Sequence, residues 1–102
     1  MELKEGQVVR SLRGHDKGEL FAVAGIANKK VFLCDGKSRK LEKPKEKNVK
    51  HVALTEVTLD KDSMATNRKL RKTLKAHKSM LDMSFSKDFN TYKYAYISYA
   101  EL

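Results

Sequence analysis

Between residues 6 and 55 the apolar positions come in short bursts, each interrupted by glycine, asparagine, aspartate or a charged run. "QVVRSL" carries adjacent β-branched residues and leads into a glycine-bounded loop. In "ELFAVAGI", Phe21 and Val23 fall on one side, with Ala22, Ala24 and Ile26 on the other. That period of two marks a half-buried strand. Asn28-Lys29 is a tight-turn signal leading into "KVFLC", apolar from Val31 to Cys34. Asp35-Gly36 is the strongest hairpin signal, because the matching turn needs positive φ at both central positions. "SRKLEK" is expected to return from it until Pro44, which has no N–H to donate into a ladder. A basic connection follows, and "HVALTEV" supplies a last strand with Val52 and Leu54 on one side. Five short strands with brief turns predict a small closed or nearly closed barrel, since a two-sheet sandwich needs more strands and more chain.

The period changes after residue 60. "DKDSMATNRKLRKTLKAHKSML" has neither glycine nor proline. Leu70, Leu74, His77 and Leu81 recur at helical spacing, predicting a helix from about 64 to 81 whose leucine stripe packs on the barrel or on a partner. Ser63 or Thr66 is the expected N-cap. In the last twenty residues Tyr92, Tyr94 and Tyr96 alternate, followed by Ile97 and Tyr99. This pattern fits either a strand added to a sheet edge or a mobile chain end. The expected division is a barrel over 1–57, a basic amphipathic helix over 58–82 and a tyrosine-rich tail over 83–102.

Charge adds a direction to this mainly β architecture. The 102-residue chain has 22 Lys and Arg against 13 Asp and Glu, a formal charge of +9, which draws polyanions in a salt-dependent way. The positive residues are clustered. Around the "GHDKG" loop stand Arg10, Arg13, His15 and Lys17, with Gly18 letting the backbone turn at unusual φ and come close to a partner. Asp16 is expected to hydrogen-bond its own turn. The segment "KSRKLEKPKEKNVK" sets Lys37, Arg39, Lys40, Lys43, Lys45, Lys47 and Lys50 against Glu42 and Glu46 alone. Along the helix Arg68, Lys69, Arg71, Lys72, Lys75 and Lys78 meet no acid before Asp82. Like charges four apart cost an isolated helix a few tenths of a kcal/mol, a cost that a polyanion would offset. Charge runs are more often solvated faces than binding sites. Two such runs that a barrel could bring to one side look like an electrostatic footprint, and the helix carries a third. The leucine stripe is narrow and lacks Trp and Phe, which ranks a membrane surface well below RNA.

The residues that carry these features also resemble a known module. Gly6-x-Val8-Val9, Gly14-x-Asp16-Lys17-Gly18 and Leu20-Phe21-x-Val23 are similar to the KOW motif, an SH3-like barrel of ribosomal proteins and transcription elongation factors. "GQVVRSLRGHDKGELFAVAG" with "CDGKSRKLEKPKEKNVKHVALT" resembles the KOW half of archaeal and eukaryotic large-subunit ribosomal proteins and stand-alone bacterial relatives. The resemblance covers about half the chain. It implies a five-stranded SH3-like barrel that grips ribosomal or other structured RNA through its first loop and its basic extensions. On these positions the loop role falls to Arg13, His15, Asp16, Lys17 and Gly18, and the basic-extension role to the cations of 37–50. The tyrosine-rich tail matches no part of the pattern.

Other chemistries find little support. His15, His51 and His77 are far apart and only Cys34 is present, so no metal-ligand spacing or disulfide is expected. Cys34 reads as a small buried apolar residue, His77 as partly buried, and His51 as a surface residue opening a strand. Phe21 and Phe32 are expected in the core, which leaves the tail tyrosines as weak candidates for base stacking. GxGxxG and Walker patterns are absent, and Asp16 and Asp35 are explained by turns. The expectation is a non-catalytic, cofactor-free RNA-binding protein, ribosome-associated and cytoplasmic. Its segment "MELKEGQVVR" lacks a signal-peptide core. The alternative is an elongation-type module docking on RNA polymerase or another protein, and the tail offers a route to a homodimer.

Overall fold

The computed structural model describes residues 3–83 and 97–98. Five strands, β1 (Gln7–Ser11), β2 (Leu20–Ala27), β3 (Lys30–Cys34), β4 (Lys45–Asn48) and β5 (Val52–Thr58), form an antiparallel sheet in the order β4-β3-β2-β1-β5. One 3₁₀ turn, Val49–His51, joins β4, the first strand in this order, to β5, the last of the five. Four strand spacings in a flat sheet would span ~19 Å, whereas the four steps from Asn48 to Val52 reach ~13 Å at most. The sheet must therefore curl until its edges approach, which gives a small barrel-like domain.

Alternation sorts the side chains onto two faces. Val9, Phe21, Val23, Val31, Leu33, Val49, Val52 and Leu54 pack together inside the curl. Val8, Ala22, Cys34 and Ala53 point the other way and meet Leu70, Leu74 and Leu81 of helix α1 (Asn67–Met83). The leucine stripe thus docks on the barrel, and His77 beside it is half-buried. Thr66 caps the helix, accepting a hydrogen bond from the Lys69 N–H at 3.1 Å. Ser63 lies in a preceding turn, where its N–H donates to Asp60 Oδ1. Cys34 is fully buried, and burial followed by the neighbouring Asp35 charge pushes its thiol up to about 11. Among the described residues no helix is long and apolar enough to cross a membrane.

Two irregularities shape the barrel. The β1–β5 register shifts between Gln7 and Val9, leaving backbone carbonyls without ladder partners. The buried Gln7 amide fills that gap, donating to Thr55 O at 2.7 Å and Val57 O at 3.1 Å. In β2 the register shifts between Val23 and Gly25.

Several expectations need correction. The tight turn with positive φ at both positions is Asn28-Lys29 (φ 48° and 64°); at Asp35-Gly36 only the glycine is positive, at 77°. "SRKLEK" is not a strand. Residues 35–44 form a long connection, and the fourth strand begins after Pro44, within the run expected to be a connection. Its sequence, Lys-Glu-Lys-Asn, lacks any apolar residue, so no hydropathy pattern marks it. Phe32 is half-buried and stands against Gly25 rather than in either core cluster. His51 closes the 3₁₀ turn and precedes β5. At the sheet edge Ile97–Ser98 forms a short strand, β6, pairing with Leu54 and Ala53 of β5. The tail tyrosines, and a homodimer through the tail, lie outside the described residues.

Candidate nucleic-acid interface

The loop between β1 and β2 is built on its own hydrogen bonds. Lys17 N–H donates to Gly14 O, Glu19 N–H to Asp16 O and Gly18 N–H to Ser11 O. Gly14 and Gly18 take φ values of 89° and 90°, which side-chain-bearing residues rarely adopt. Asp16 turns inward beneath this loop. It accepts from Ser11 Oγ at 2.7 Å, Lys47 Nζ at 2.8 Å and Lys45 Nζ at 3.0 Å. Burial alone would raise its pKa. The hydrogen bonds from Lys47, Ser11 and Lys45 outweigh burial and hold the carboxyl well below the usual carboxylate range.

This arrangement withdraws some of the expected phosphate ligands. Lys47 is buried, its ammonium shared among Asp16, Ser11 Oγ and the carbonyl of Arg13. Arg10 is also buried: Nη1 donates to Gly18 O at 2.6 Å and Nη2 lies 2.9 Å from Asp82 Oδ1. Both brace the loop from below and neither projects to a ligand, because segments distant in sequence neutralise them. Lys45 is half-buried and paired with Asp16. On the helix, Lys69 pairs with Asp62 and Lys78 with Asp82, so the third run meets an acid sooner than its own order suggests.

The remaining cations are exposed, and the fold gathers them. Arg13, His15 and Lys17 stand on the loop, Lys37, Arg39, Lys40 and Lys43 on the 35–44 connection, and Lys50 in the 3₁₀ turn. An open cleft of about 240 Å³ lies between loop and connection, lined by His15, Asp16, Glu19, Ser38, Arg39 and Lys45. The connection is itself ordered: Asp35 Oδ1 accepts from the N–H groups of Lys37 and Arg39, both at 2.8 Å. Its far side rests on the start of α1. Leu41 N–H donates to Asn67 Oδ1 at 2.8 Å, and Asn67 Nδ2 donates to Glu42 Oε1 at 2.7 Å. Arg68, Arg71 and Lys72 therefore continue from the connection, with Lys75 a turn further along the exposed face. Gly18 is half-buried and contributes its carbonyl to Arg10 rather than an open surface.

A second group of residues went unnoticed in the sequence. Leu12 N–H donates to His51 O at 2.8 Å, which fixes the 3₁₀ turn against the loop base. Arg13 Nη1 then lies 3.2 Å from His51 Nε2. Val49 N–H donates to Lys29 O, which ties the Asn28-Lys29 turn to the start of the 3₁₀ turn. The pair of lysines in that turn was the available signal. His51 had none, since its neighbours come from other strands.

No protein-family model matches the chain, and no curated protein is found to match it.

Proposed function

We propose that this protein binds RNA without catalysis, as a component or partner of the ribosome contacting ribosomal RNA. One observation carries the reading: the β1–β2 loop and the 35–44 connection converge on one cleft, and the connection runs on into the cationic face of α1. Exposed guanidinium and ammonium groups held on ordered backbone suit a phosphate chain, which is the main contact surface of nucleic acids. The KOW-like residues favour ribosomal RNA as the source of those phosphates. The contacts expected are Arg13, His15, Lys17, Lys37, Arg39, Lys40, Lys43 and Lys50, followed by Arg68, Arg71, Lys72 and Lys75.

Binding of the purified chain to a structured RNA, measured by fluorescence anisotropy, is expected to weaken about a thousandfold between 50 and 200 mM salt if some six phosphates are contacted. A change below about threefold would refute an electrostatic grip. Crosslinking in cells should then recover reads focused on large-subunit ribosomal RNA. Reads spread over all transcripts would mark a general RNA binder, and recovery of protein but no RNA would favour a docking module.

A further inference from the structure

The contact between Arg13 and His51 has a chemical consequence. A guanidinium N–H can only donate, so at 3.2 Å the His51 Nε2 must accept, and the imidazole is neutral with its proton on Nδ1. Among the described residues the charges acting on the ring are cationic: Arg13 from the β1–β2 loop, Lys50 from its own turn, Lys47 from β4 and Lys30 from β3, while β6, which also packs on this turn, brings no charged residue at Ile97–Ser98. The only carboxylate of the 13–18 loop, Asp16, is committed to Lys45 and Lys47. Loss of hydration and then these four charges hold His51 below its ordinary value of 6.5. Arg13 and Lys50 are exposed and His51 is half-buried, so the cluster opens to solvent.

We propose that Arg13, His51 and Lys50 form a phosphate subsite in which a backbone phosphate inserts between the guanidinium and the imidazole, and that filling it protonates His51. This rests on the RNA-binding reading. Protonated His51 cannot accept from Arg13, and the two cations would then repel. An anion between them removes that conflict, accepting from Arg13 Nη1 on one side and from His51 Nε2–H on the other. The phosphodiester stays singly charged throughout, so the proton taken up resides on the ring. The sign follows: the free pKa lies below 6.5 and the bound one above the free value, so RNA binding takes up a proton between the two. Affinity is then highest below the free pKa and declines as pH rises through the bound pKa. A rise of one unit corresponds to a tenfold gain.

The test is a histidine NMR titration of the full chain, free and saturated with a 20-base-pair RNA duplex. The His51 pKa is expected to rise by at least one unit in the complex, and by more than that of His77, which experiences the general field of the polyanion. Affinity for the duplex should increase about tenfold from pH 8 to pH 5.5. In His51→Gln most of that increase should vanish. A His51 shift no larger than that of His77, with RNA bound, would overturn the subsite and leave RNA binding standing. Absence of RNA binding at every pH would overturn both.

Discussion

Asp16 illustrates how much one side chain organises here. Its two lysine partners come from β4, about thirty positions away, and its serine partner from the end of β1. Because its folded pKa lies below the ordinary 3.8, its stabilisation is present above about pH 4 and is lost as pH falls through the folded value. Replacing it by Asn leaves Lys47 buried beside a neutral amide, and removing one partner of a buried pair costs about 3 kcal/mol. Urea denaturation at pH 7 should register that loss for Asp16→Asn, and the gap to the parent should narrow at pH 3. An unchanged urea midpoint at pH 7 would show that Lys47 finds another acceptor. The sequence identifies Asp16 as a turn former but is silent about its partners, since an ion pair between strands leaves no local pattern.

At the scale of elements, the 35–44 connection depends on close contact with α1. Gly36 has φ 77°, and a Cβ added there would run into the carbonyl of Asn67 and touch the Arg71 nitrogen. Gly36→Ala therefore combines left-handed strain with a backbone collision and should cost at least ~2 kcal/mol. Gly14→Ala, also at positive φ, meets nothing closer than Asp16 Oδ1 at 3.6 Å and should cost about half as much. Chemical denaturation of the two variants compares them directly; equal losses would mean that the connection moves away from the helix without penalty. The elements were unevenly legible. Period-two alternation revealed β2, and the leucine stripe revealed α1. β4 was missed because its apolar contacts come from lysine stems and neighbouring strands, so the usual hydropathy signal does not apply to it.

For the whole molecule, the decisive quantity is how the net positive charge divides between bracing and display. Arg10 and Lys47 are used internally, whereas Arg39 faces the cleft. Arg39→Gln should lower the salt slope of RNA binding by about 1, the signature of one lost phosphate contact. Arg10→Met, assayed where the protein remains folded, should leave the slope unchanged. A reduced slope for Arg10→Met, with the fold intact by circular dichroism, would mean that the buried arginine reaches the ligand after all.

The sequence by itself determined the kind of object this is. Alternating apolar positions, a helical leucine stripe and clustered cations are local properties, and local physics is enough to yield short strands, a docked helix and attraction for polyanions. The tertiary structure decided which cations remain available. A lysine or arginine reads the same along the chain whether it ends in solvent or beside a carboxylate. Its fate depends on what folding brings within about 3 Å, as Asp82 is brought to Arg10 and Asp16 to Lys47. Pairing distance is fixed by strand register and helix docking, which involve residues tens of positions apart, and so the set of exposed cations is defined only once the chain has folded.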